Sequence, residues 1–151
     1  MIKQLTFLFL VCFCNLHNCV GQDSYPDTKK HSFFEWNFGV AAVEDYVIPG
    51  TSFLWGATTI NENNSIFEYE VGFALPTLIT GKMGGGKVFG NTKVVLGVRP
   101  FPFNFYIQTS FLHGERGYWV FSVEYNPFDE DMALSFGSKG LLNLGYRWHR
   151  D

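Results

Sequence analysis

Lys93-Val94-Val95-Leu96-Gly97-Val98-Arg99, then Pro100-Phe101-Pro102-Phe103-Asn104, then Phe105-Tyr106-Ile107-Gln108-Thr109-Ser110-Phe111 read as strand, tight turn and strand. His113-Gly114-Glu115-Arg116-Gly117 breaks the pattern, and Tyr118 to Tyr125 runs back. One face of this stretch carries Val94, Leu96, Val98, Phe105, Ile107, Phe111, Trp119, Phe121, Val123 and Tyr125. The other carries Lys93, Gly97, Arg99, Tyr106, Gln108, Ser110, Ser122 and Glu124. A period of two with one apolar face predicts an antiparallel meander. The medium that this apolar face meets decides the fold.

The same alternation extends outward in both directions. Phe34, Trp36, Phe38, Val40 and Ala42 alternate with Glu35, Asn37, Gly39 and Ala41, which predicts a first strand. Residues 44–50 read as a loop and 52–60 as a second strand, with Phe53 and Trp55 on one face. Asn61-Glu62-Asn63-Asn64 is a turn by composition, and Asn63-Asn64-Ser65 also fits a glycosylation sequon. The third strand sets Phe67, Tyr69, Val71, Phe73 and Leu75 against Glu68, Glu70, Gly72 and Ala74, and is predicted to continue past Pro76 to Ile79. Residues 80–91, with Gly84-Gly85-Gly86 at their centre, read as a glycine-rich loop. An acidic turn at 126–131 and a last hairpin, 132–136 with 141–148, bring the count to about eight strands.

Composition narrows the class. Of 151 residues, 19% are aromatic and 17% charged, against about 25% charged in an average soluble domain. Mean hydropathy is near zero, and no apolar run approaches the roughly 20 residues of a membrane helix. An aromatic-rich, charge-poor chain without such a run fits a membrane barrel, whose alternating residues dilute its hydropathy. A net charge of -3 gives nucleic acid no electrostatic foothold. The N-terminus, Lys3 followed by an apolar run from Leu5 to Cys14 and then Cys19-Val20-Gly21, predicts a signal peptide over 1–21 and a mature domain over 22–151. All three cysteines fall in that leader, so the mature chain has no disulfide to rely on. Leu16-His17-Asn18-Cys19 loosely matches a lipoprotein box, although His17 and Asn18 are bulky for one.

Two media remain for the apolar face. A soluble exported barrel of lipocalin type would turn it inward around an apolar ligand. Here the opposite face is mostly small: Gly39, Ala41, Gly56, Gly72, Ala74, Gly97, Ser110, Ser122, Ser135, Gly137 and Gly145. Small side chains suit the crowded inside of a narrow barrel. The large residues, among them Trp36, Trp55, Tyr69, Phe73, Phe105, Trp119, Tyr146 and Trp148, then face lipid, with Trp and Tyr as interfacial girdles. The expected fold is an all-β, antiparallel, up-and-down transmembrane barrel of about eight strands. Its lumen is expected to be plugged by Glu35, Glu68, Glu70 and Glu124 with Lys93, Arg99 and Arg147. Glu35 and Arg147 equally fit exposed positions at strand ends, and parity suggests Glu70 with Arg99 as an ion pair.

On these residues the chain resembles small outer-membrane β-barrels of the OmpA/OmpX-like kind, in the style of Bacteroidota-type Gram-negative proteins. Leu142-Asn143-Leu144-Gly145-Tyr146-Arg147-Trp148 is similar to the C-terminal signal read by the barrel-insertion machinery. Asn143 stands where a glycine is usual, and His149-Arg150-Asp151 extends past the aromatic end. The resemblance implies a cell outer-membrane location, tight turns and longer loops at alternate ends, and membrane lipid and the insertion machinery as partners, with a surface ligand left open.

Catalytic and cofactor motifs are weak. Gly81-Lys82-Met83-Gly84-Gly85-Gly86-Lys87 fits much of a phosphate loop, but Val88 replaces the magnesium-binding hydroxyl and a strand follows. Ser110, His113 and Glu115 lie close enough in sequence to suggest an envelope-lipid hydrolase. Ser110 points inward by parity, however, and His113 and Glu115 read as a loop tip. No histidine pair has metal-ligand spacing. The chain is therefore expected to be non-enzymatic, with a structural or loop-mediated binding role and no catalytic, cofactor-binding or metal residues.

Overall fold

The structure is a computed structural model that describes residues 28–43, 46–115, 117–128 and 138–150. The expected leader, the lipoprotein-like Cys19, and the 132–136 strand with Ser135 and Gly137 lie outside the described residues. Eight antiparallel strands close into one up-and-down barrel: β1 (Lys29–Val43), β2 (Tyr46–Ile60), β3 (Ser65–Leu75), β4 (Leu78–Phe89), β5 (Thr92–Phe101), β6 (Phe103–His113), β7 (Gly117–Tyr125) and β8 (Ser138–Arg150). Closure comes from β1 against β8, with Glu35 opposite Arg147 and Trp36 opposite Tyr146. Every strand thus has two neighbours, and no long sheet edge is left open.

The strand count matches the expectation, but three assignments change. The glycine-rich segment 80–91 is mostly β4, not a loop, and the third strand ends at Leu75 without running to Ile79. Glycines fit this strand because its neighbours come close. A Cβ on Gly86 would fall on the Val94 carbonyl, and one on Gly84 would lie 2.6 Å from the Leu96 carbonyl oxygen and from the Tyr106 hydroxyl. Gly84, Gly97 and Tyr106 occupy paired positions on β4, β5 and β6, so the buried Tyr106 ring lies across two glycines. Phe33 covers Gly56 in the same way on the other side of the barrel. The expected loop at 44–50 also shrinks, because β2 already begins at Tyr46.

At the end that carries the termini every connection is short, whereas at the opposite end three are short and the link 126–137 spans twelve residues, of which 129–137 lie outside the described residues. At the end that carries the termini, 61–64, 90–91 and 114–116 link the strands. The first is an asparagine turn in which Asn63 Oδ1 accepts from the Ser65 amide and hydroxyl, and Asn64 takes a left-handed φ of 61°, which Asn tolerates well. In the second, Gly90 has φ 58° at the first central position, as a type II′ hairpin requires. At the opposite end 44–45, 76–77 and Pro102 suffice, and 126–137 is the longest link.

Alternation sorts the side chains by face as the sequence predicts. β3 repeats buried and exposed residues without interruption from Ile66 to Leu75. Val71 is 58% and Phe73 62% exposed, whereas Glu68 and Glu70 are buried. The outer face is covered by large apolar residues on all eight strands, and the buried apolar residues are few, among them Phe33, Leu54 and Val120 and a contacting cluster of Ile66, Val95 and Tyr106.

Candidate functional site: a charged lumen

The inward positions of the eight strands deliver four buried acids, Glu35, Glu68, Glu70 and Glu124, and four buried bases, Lys82, Lys93, Arg99 and Arg147. An isolated buried charge costs several kcal/mol, so each needs a partner at hydrogen-bond range. Arg147 provides the centre. Its Nε donates to Glu35 Oε2 at 2.6 Å, its Nη1 and Nη2 donate to the two oxygens of Glu68 at 2.6 and 2.8 Å, and Nη2 reaches Glu70 at 3.5 Å. The two-pronged contact to Glu68 uses the planar fork that only arginine offers. The guanidinium also lies over the Phe33 ring, 3.8 Å from its centroid. Glu35 and Arg147, which the sequence left open as exposed strand ends, are both fully buried.

Neutral residues complete the carboxylates. Thr58 Oγ1 donates to Glu68 at 2.8 Å and Gln108 Nε2 at 3.2 Å, and Asn37 Nδ2 donates to Glu35 at 2.8 Å. From Glu70 the contacts continue toward the mouth opposite the termini. Lys82 Nζ lies 3.8 Å from Glu70, an ion contact longer than a hydrogen bond, and 3.1 Å from Glu124. Arg99 Nη2 and Asn143 Nδ2 donate to the same Glu124 oxygen at 2.7 and 2.9 Å. The result is a column alternating in sign, Arg147, Glu70, Lys82, Glu124, Arg99, that follows the barrel interior. At the termini end Lys93 lies 3.4 Å from His149 Nε2 and 4.1 Å from the Tyr118 ring centroid. His31 and His149 meet edge to face at 5.8 Å.

This geometry corrects one expected pairing and places the residues of the two weak motifs. The suggested Glu70–Arg99 pair does not form: β4 lies between β3 and β5, so Arg99 bonds Glu124 and Glu70 sits between Lys82 and Arg147. The phosphate-loop pattern is strand, and its Lys82 is buried in the ion column. Ser110 is buried on the inner face of β6, whereas exposed His113 turns outward against Tyr146 and Trp119, its Nδ1 3.2 Å from the Tyr146 hydroxyl. With Ser110 and His113 on opposite faces and Glu115 in an exposed turn, the three form no catalytic arrangement.

Sequence reasoning missed Lys82. The signal was present in Ile79-Thr80-Gly81-Lys82-Met83, where the apolar Ile79 and Met83 share one parity and Thr80 and Lys82 the other, but the glycines masked it. A recess of about 50 Å³ remains at the mouth opposite the termini, lined by Gly39, Ser52, Ala74, Arg99 and Asn143 among others. Small-molecule pockets run to roughly 300 Å³ and more, so this recess is far too small for an apolar ligand of the lipocalin type. What the arrangement can do chemically is compensate seven of the eight buried charges among themselves, with Lys93 set against His149 and the Tyr118 ring. No protein-family model matches the sequence, and no curated protein matches it.

Proposed function

We propose that this chain is a small non-enzymatic barrel of a Gram-negative outer membrane, its apolar exterior in lipid and its lumen closed by the ion column, with a structural or anchoring role. One observation carries the proposal: large apolar side chains cover the outside of all eight strands while the buried charges lie inside. A water-soluble barrel exposing Phe38, Phe67, Val71, Phe73, Leu96 and Tyr125 together would present an apolar surface far beyond the few hundred Å² that soluble monomers tolerate. A closed antiparallel barrel is also the one β-architecture that satisfies its backbone within lipid. β5, β6 and β7 have 10, 11 and 9 residues, close to the ~9–11 needed to cross a bilayer at a tilt.

Expression in a Gram-negative host with membrane fractionation tests the location. The expected outcome is recovery in the outer-membrane fraction and release by detergent alone. Recovery as a soluble periplasmic protein contradicts it. In planar bilayers the sealed lumen should give no steady ion conductance, and discrete open-channel steps would contradict the seal.

A further inference from the structure

Charge on the outward face of the strands is confined to one end. Among the described strand residues that alternate outward, the charged ones are Lys30, Lys87 and Arg150, and all three are exposed. Lys30 is the second residue of β1, Lys87 lies near the end of β4, and Arg150 closes β8. All three therefore sit at the end where the chain termini lie. Lys87 is opposite Ser65, the first residue of β3, and Arg150 is opposite Ser32 on β1, which places it beside Lys30. The acids described at this end, Glu62 and Glu115, are in the turns beyond the strands. At the other end the outward face is apolar to the rim, with Val47, Leu75, Ile79 and Tyr125 exposed.

Each base stands where a long side chain can lay its stem on the apolar belt and lift its charge to the interface. Aromatic residues accompany them: Lys30 Nζ is 6.0 Å from the Tyr69 ring centroid, and Trp148 lies on the same outward row as Arg150. Three bases without an acid on that row complement a negatively charged surface and nothing apolar.

We infer that the end of the barrel carrying the termini binds the head groups of anionic glycerophospholipids through Lys30, Lys87 and Arg150. This inference rests on the lipid-facing reading of the exterior. It gives the barrel a fixed polarity, the termini end seated in an anionic leaflet. One base near an anionic surface is worth about fivefold in local partition. Averaged around a belt that bears bases on only part of its perimeter, the enrichment should be about twofold.

Electron spin resonance of the full chain reconstituted in vesicles, with spin-labelled phosphatidylglycerol or phosphatidylcholine, reads this directly. The expected result is about twofold enrichment of phosphatidylglycerol in the motionally restricted shell at low salt. It should fall to parity with phosphatidylcholine in 1 M salt, where exposed charges are screened within about 3 Å. The Lys30→Gln/Lys87→Gln/Arg150→Gln variant should show parity at low salt, with heat-modifiable migration confirming that it is folded. The salt titration of the unaltered chain does not depend on that variant. Equal association of both lipids with the unaltered chain, or enrichment that persists in the folded variant, overturns the inference. Absence of restricted lipid with either label overturns the lipid-facing reading itself, and the inference with it.

Discussion

The two faces of β3 are built from one stretch of chain and obey opposite rules. Inward, Glu68 and Glu70 are buried and bound by Arg147, Lys82, Thr58 and Gln108. Outward, Phe67, Tyr69, Val71 and Phe73 are about half exposed or more and contribute no charge. In a soluble protein the polar face would be outside. The reversal teaches that hydrophobic burial against an apolar core supplies little of the cohesion here, since the apolar part of that core is small. The interior is held by charge compensation, and the large apolar residues are left on the outside. Neighbouring residues such as Glu70 and Val71 should therefore fail for different reasons when changed.

The inner face should break most severely at Arg147. Arg147→Met removes the shared partner of Glu35, Glu68 and Glu70 and leaves buried carboxylates uncompensated. Losing one member of a buried ion pair costs about 3–5 kcal/mol. With three carboxylates affected, the expected loss is about 5 kcal/mol, or failure to fold, read by urea unfolding in micelles. A loss below about 1 kcal/mol would mean that the column does not hold the interior.

On the outer face, Val71→Arg places a charge among Phe53, Trp55 and Phe73. Near the middle of a bilayer this costs about 2–4 kcal/mol, whereas on a water-facing wall it would be close to neutral. Unfolding in lipid vesicles measures it, and a neutral result there separates the outer face from lipid.

A finer test concerns pairing inside the column. Arg99→Met should cost about 2 kcal/mol, less than Arg147→Met because Lys82 and Asn143 still hold Glu124. Adding Glu124→Gln should recover about 1 kcal/mol of it, whereas adding Glu70→Gln should recover nothing. Equal recovery by both would mean that Arg99 is not tied to Glu124 in particular.

How much of this was legible follows from the residues themselves. From Phe67 to Leu75 in β3 each step switches between large apolar and charged or small residues, so face, burial and strand are all readable. Its neighbour β4 carries Gly81, Gly84, Gly85 and Gly86, which leave the alternation almost without side chains to display it. Local composition then says loop, and only the approach of β3 and β5, with Tyr106 packed over Gly84 and Gly97, makes glycine the fitting residue. Without β4, Lys82 is hidden and β3 falls next to β5, which is why parity alone suggests Glu70 with Arg99. Parity alone identified the other seven lumen charges. Their partners depend on strand order and stagger, which a period of two does not encode.

The central claim is that the aromatic outer face meets acyl chains, and the chain carries its own reporters. Trp36, Trp55, Trp119 and Trp148 are all its tryptophans, and all four are outward and between 42% and 48% exposed. Fluorescence of the folded barrel in vesicles should be strongly quenched by lipids brominated along their acyl chains and weakly by aqueous iodide. Strong quenching by iodide with none from brominated lipid would contradict a lipid-facing exterior.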